Sequence, residues 1–149
     1  MASVSDLDRH PEFDAQDEAL GVLARDRVEA MTAANVSESV LDFETRRATR
    51  AFMEIFEDRY PVKAAFLFGS RARHTHNPDS DADIAIILMG EPGNRHKIAG
   101  DMVGIAVDLL LETRILVDPT PFWQDEFKNP GQFSNPSLIE TIKREGLRL

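Results

Sequence analysis

The apolar positions of the chain change period partway along, and the change divides it into helical and extended parts. Val40, Phe43, Ala48, Ala51, Phe52, Ile55 and Phe56 recur at helical spacing until Pro61 ends the run. Ser39, with Asp42 three residues later, approximates a capping box at the start of this helix. Upstream, Leu20, Val22, Leu23, Val28 and Met31 suggest an earlier helix over residues 16–33. The period then shortens. Residues 62–68 (VKAAFLF) form an apolar strand stopped by Gly69-Ser70, and residues 83–88 (DIAIIL) form a second, β-branched strand. After the turn Glu91-Pro92-Gly93, Asn94 is placed to cap a helix reaching Thr113, with Ile98, Met102, Ile105, Ala106, Leu109 and Leu110 as its stripe. Residues 115–118 read as a third strand, closed by Pro119 and Pro121. Asn135-Pro136 opens a last helix, which Gly146 ends. The expected fold class is mixed α/β, a small mixed sheet with helices packed on it.

Composition narrows what such a domain does. The 149 residues carry 26 acidic and 17 basic side chains, a net charge of −9, which disfavours broad nucleic-acid binding. Nine acids against three arginines lie in residues 1–40, so residues 1–15 are expected as a loose acidic arm and 16–149 as one domain. Within it, 16–60 would be N-terminal helices, 62–118 the motif-bearing core and 119–149 a C-terminal extension. With no cysteine, disulfide and thiolate-metal chemistry are excluded. No apolar run approaches the roughly 18 residues that cross a bilayer, and the N-terminus lacks a signal peptide's apolar stretch. A cytoplasmic location without membrane contact is expected.

The candidate chemistry sits in FLFGSRARHTHNPDSDADIAIIL. A strand ends in Gly69-Ser70, ten residues intervene, and Asp81-Ala82-Asp83 runs into the next strand. In extended chain, residues two apart face one side, so Asp81 and Asp83 project together. Carboxylates that close repel unless a cation lies between them, and oxygen ligands suit Mg²⁺ or Mn²⁺. Gly69 admits a phosphate close to the backbone, Ser70 adds a hydroxyl, and Arg71 and Arg73 are placed to meet the remaining negative charge. His74 and His76 read as a solvated loop pair, Asp79 as a turn residue, and Phe122, Trp123, Phe127 and Phe133 as packing. P-loop, GxSxG and HExxH patterns are absent from the sequence.

These residues resemble the nucleotidyltransferase superfamily shared with DNA polymerase beta, in its minimal (MNT) form. The segment GSRARHTHNPDSDADIAI is similar to its signature, with Ser80 and Ala82 completing the motif around Asp81 and Asp83. His74 stands where a glycine is frequent. The resemblance implies that Gly69, Ser70, Arg71 and Arg73 bind the nucleotide and that Asp81 and Asp83 hold two Mg²⁺ ions, with Mn²⁺ as the other candidate. It also calls for a third carboxylate on a neighbouring strand. Asp118, ending the third strand, is preferred over Asp108, which the helical stripe places on a helix.

The activity implied is transfer of a nucleoside monophosphate, AMP from ATP, to a hydroxyl. Minimal members often pair with a HEPN toxin and adenylylate its tyrosine, so an antitoxin role with a HEPN-type protein partner is the expectation. The rivals are a small-molecule enzyme of the aminoglycoside-modifying kind and a catalytically inactive binding protein on the same fold. A homodimer is compatible with the small sheet.

Overall fold

The computed structural model describes residues 41–149. The acidic arm, the helix expected over 16–33, and Ser39 lie outside them. Helix α1 is Phe43–Glu57, and its N-cap is Asp42, whose side chain accepts from the Thr45 amide. The cap is therefore Asp42 itself and not a box opened by Ser39. Aspartate in extended backbone at this point satisfies an early helical N–H directly. Phe43, expected in the buried stripe, is 67% exposed, while Thr45, Ala48, Phe52 and Phe56 face inward.

Strand β1 (Val62–Phe68) leads into a one-turn helix α2 (Ser70–Arg73), and β2 (Ala82–Leu88) follows. Helix α3 is Arg95–Thr113, capped by Asn94 accepting from the Lys97 amide. Then come β3 (Val117–Trp123), α4 (Gln124–Lys128), a 3₁₀ turn (Pro130–Gln132), α5 (Pro136–Glu145) and the two-residue β4 (Leu147–Arg148). The sheet order is β3-β2-β1-β4; β2 and β3 run parallel and the other pairs antiparallel. This is the small mixed sheet expected.

The third strand differs from its expected extent. It starts two residues later and continues through Pro119 and Pro121 to Trp123. Prolines two apart turn their missing N–H to the same side, and among the described residues β3 is an edge strand with only β2 beside it. The Pro121 carbonyl faces that outer side, where it accepts from Arg95 Nη1 at 2.6 Å. Arg95 also lies 4.6 Å over the Trp123 ring and pairs with Glu126, closing this edge.

The alternation along the strands makes two cores. One sheet face, with Leu67, Ile84, Ile86 and Val117, packs on α1 and α3 through Phe52, Phe56, Met102 and Ile105. The other, with Phe66, Ala85, Ile87 and Phe122, packs on α4 and α5 through Phe127, Ile139 and Ile142. Phe122 and Phe127 are buried and Phe133 packs against them, in the packing roles expected. Trp123 belongs to the first core. Among the described residues no helix is long and apolar enough to cross a membrane.

Candidate active site

The end of the sheet where β1 stops and β2 and β3 begin gathers the chemistry. Phe68, last residue of β1, pairs with Asp83, and Asp83 pairs with Asp118. Asp83 alternates with Ala85 and Ile87, and Asp118 with Phe122, so both carboxylates belong to the face covered by α4 and α5. Asp81 is exposed immediately before β2. Burial raises the pKa of Asp83 to about 6, helped by the charges of Asp118 and Asp81 and a side-chain hydrogen bond with Asp118; Arg73 opposes the rise. Asp108 is exposed on α3 and takes no part in this cluster.

Gly69 is the counterpart on β1's side. Its φ of +80° and ψ of −158° lie in a region essentially confined to glycine. A Cβ there would sit 2.3 Å from Asp83 Oδ2, so the absent side chain leaves the space the carboxylate occupies. Gly69→Ala is therefore expected to cost about 2 kcal/mol through backbone strain and displacement of Asp83. Urea unfolding checks this, and an unchanged midpoint would contradict the close approach.

Ser70 opens α2 beside Gly69. Arg73 is half exposed and forms a 2.9 Å ion pair with Glu145 at the end of α5. Arg71 is placed otherwise than expected. It is only 3% exposed, and its guanidinium faces the loop interior. Nε donates to the Ser80 carbonyl at 3.0 Å, Nη1 to Thr45 Oγ1 at 2.7 Å, and Nη2 to the Asn77 and Pro78 carbonyls at 3.4 and 3.2 Å. With its donors so committed, Arg71 is a clamp on the loop leading to Asp81.

Sequence reasoning missed the anchor of that clamp. Asp42 caps α1, accepts from Thr45 N and Oγ1, and lies 3.0 Å from His76 Nε2. Burial alone would raise the Asp42 pKa, but the Thr45 hydrogen bonds, with His76 and Arg71, hold it below the usual value. The available signal was an aspartate directly before the first helical residue, with Thr45 at the third position. Of the loop histidines, His74 is exposed as expected, whereas His76 is largely covered against Asp42. Asp79 sits in the turn, its amide donating to Asn77 Oδ1 at 2.8 Å.

His74, the departure from the motif's glycine, caps α2 in the left-handed region at φ +62°. Histidine tolerates that conformation at a cost. His74→Gly is expected to raise stability by about 0.5–1 kcal/mol, read as a higher Tm; a lower Tm would show that the imidazole contributes more than the strain it bears.

The sequence profile of the nucleotidyltransferase domain matches residues 49–148, about two-thirds of the chain. The chain belongs to the nucleotidyltransferase domain family. That match spans Gly69, Ser70, Asp81, Asp83 and Asp118, so these residues lie inside the family's own domain. One similar solved structure is a candidate nucleotidyltransferase from Sulfolobus solfataricus, 17% identical, covering 77% of this chain and 84% of the other, with a TM-score of 0.42. A likeness that distant carries no weight beside the family match. No curated protein matches the sequence.

The side chains the nucleotidyltransferase motif brings to this sheet end are carboxylates, the hard oxygen donors that divalent cations take. Burial first, and then the charges of Asp118 and Asp81, push Asp83 toward neutrality, and a hard cation would relieve the repulsive part. Among the described residues no three His, Asp or Glu side chains are gathered closely enough to hold a metal ion. Asp83 shares a side-chain hydrogen bond with Asp118 and feels the charge of exposed Asp81.

Proposed function

We propose that this nucleotidyltransferase-family protein moves a nucleoside monophosphate, AMP from ATP, onto a hydroxyl acceptor. The acceptor oxygen bonds to the α-phosphorus, the bond to the β-phosphate breaks, and pyrophosphate leaves. The observation that carries the reading is the register Phe68–Asp83–Asp118, which sets two carboxylates against the Gly69-Ser70 turn at one sheet end. The Gly69-Ser70 backbone and the Ser70 hydroxyl bind phosphate oxygens. Arg73 supplies positive charge from the exposed side, exchanging Glu145 for phosphate. Arg71 contributes by holding the loop. Asp81, Asp83 and Asp118 would hold Mg²⁺, or Mn²⁺ in its place, which when bound polarises the phosphoryl group and neutralises its developing charge. Asp118, exposed at the edge of the cluster, accepts the proton of the attacking hydroxyl.

For the acceptor, the MNT resemblance favours a tyrosine of a HEPN-type partner protein, with the chain acting as antitoxin. A net charge of −9 is a reason to prefer a protein acceptor to a polynucleotide end. The second reading, a non-catalytic binding protein, draws on the absence, among the described residues, of three carboxylate or imidazole side chains close enough to hold a metal ion.

Thermal unfolding with ATP and Mg²⁺, beside an Asp81→Ala/Asp83→Ala double variant, separates the two. Saturation at a hundred times the dissociation constant adds about 2.7 kcal/mol to the folded state. A metal-dependent rise in Tm that the double variant lacks is expected, followed by pyrophosphate release once a tyrosine acceptor is supplied. No rise with any common triphosphate overturns the catalytic reading in favour of the binding protein.

A further inference from the structure

The imidazole of His76 has no part in the proposed transfer, yet it is firmly placed. The side chain is 18% exposed, and its Nε2 lies 3.0 Å from Oδ2 of Asp42, the N-cap of α1. Nδ1 is buried without a hydrogen-bond partner, so among the described residues the approach to Asp42 is the ring's polar attachment. A nitrogen buried unpaired costs free energy, and an apolar side chain would fill the space without that cost. Stability alone gives no reason for an imidazole here.

The residues after His76 show what its attachment can do. The Asn77 amide donates to Ser80 Oγ at 3.1 Å, the Ser80 amide to the Asn77 carbonyl at 3.0 Å, and the Asp79 amide to Asn77 Oδ1 at 2.8 Å. A turn closed on itself in this way moves as a unit. Asp81 stands between this unit and β2, whose first residue, Ala82, donates to the Leu116 carbonyl at 2.9 Å. The sheet therefore holds Asp81 from one side, and the turn holds it from the other. Arg71 grips the carbonyls of the turn, and His76 fastens its leading end to Asp42. Both routes end at one cap, because Thr45 Oγ1 accepts from Arg71 and donates to Asp42. Losing the buried Arg71 would damage the fold. Losing His76, with its single polar contact, would leave the fold and shift the turn.

We propose that His76, held by Asp42, is a positioning residue that sets where Asp81 stands and thereby how tightly the site binds its divalent cation. The inference rests on the reading of Asp81 as a metal ligand. A carboxylate already in place binds an ion more tightly than one that must be ordered at each binding event. His76 acts through the turn and not on the reacting atoms.

Mn²⁺ titration and amide exchange on the full chain test this apart from catalysis. Mn²⁺ binding, followed by the electron paramagnetic resonance of the free ion, is expected to weaken about tenfold in His76→Ala, the low end of what losing a ligand-orienting group costs. Without metal, exchange at the Asp79 and Ser80 amides should quicken in that variant, while the amides of β1 and β2 keep the parent's rates. His76→Gln, whose amide nitrogen stands close to where Nε2 stood, should restore most of the affinity; His76→Met, of similar size and without a donor, should not. In an Asp42→Asn background, which keeps the helix cap, His76→Ala should add little further loss. If His76→Ala binds Mn²⁺ as the parent does while Asp81→Ala loses it, the proposal is overturned and the metal reading stands. Unchanged exchange at Asp79 and Ser80, or equal affinity in the Gln and Met variants, overturns it as well. A parent chain that takes up no Mn²⁺ overturns both.

Discussion

Replacing Asp83 with asparagine is expected to abolish nucleotidyl transfer while making the metal-free protein more stable at neutral pH. Asp83 carries a penalty in the folded chain, because burial and the charges of Asp118 and Asp81 raise its pKa from 3.8 to about 6. A carboxyl with a raised folded-state pKa costs nothing below its unfolded value, loses stability as pH rises between the two values, and bears the full cost above the higher one. Asparagine has the same shape, no charge, and an amide that can donate to Asp118. At pH 7.5 without divalent ions, Asp83→Asn should gain about 1–2 kcal/mol, a rise in Tm of several degrees, and the gain should vanish near pH 4. Turnover should fall by at least about a thousandfold, since uncompensated phosphoryl charge is worth several kcal/mol in such reactions. Added Mg²⁺ should stabilise the parent and not the variant. A lower Tm for Asp83→Asn at pH 7.5 would show that the carboxylate is needed for folding, contrary to the burden that burial and its neighbours place on it.

The second large effect is expected at Arg71. Its guanidinium connects α1, through Thr45, with three carbonyls of the loop between α2 and β2, from Asn77 to Ser80. Arg71→Met fills much of the same volume but leaves those acceptors unpaired. The expected loss is about 3 kcal/mol, seen in the urea midpoint. Arg71→Lys should recover only part of it, because an ammonium cannot reproduce a planar fork spread over four acceptors. Activity should fall in both variants as the approach to Asp81 loosens. If Arg71 instead met the triphosphate, Arg71→Met would raise the KM for ATP at unchanged stability.

The contrast between Arg71 and Arg73 shows how far the motif could be read. Both fit the pattern GSRAR equally, and nothing local distinguishes them. A one-turn helix sends one guanidinium under the loop and the other outward to Glu145, a partner 72 residues away. Asp118 and Asp108 were separable in part, because the stripe from Ile98 to Leu110 marks Asp108 as helical. That Asp118 stands in register with Asp83 required the parallel pairing of β2 with β3. The strand through Pro119 and Pro121 was illegible for a related reason: proline ends a strand that has neighbours on both sides and is harmless at an edge. β4 has only two residues and is a strand because the edge of β1 lies beside it.

By itself, the sequence determined the features set by neighbouring residues. Examples are β1 over Val62–Phe68, the Asn94 and Asn135 caps with the helices they open, and the Gly69-Ser70 and Asp81-Ala82-Asp83 elements that mark the family. Caps, periodicity and glycine punctuation act over a few residues and leave their trace in the string of letters. The tertiary structure decided which aspartate meets which, that Gly69 yields its side-chain space to Asp83, and that Arg71 is a clamp. Each of these depends on residues brought together across the sheet, where long-range register and burial determine both position and charge.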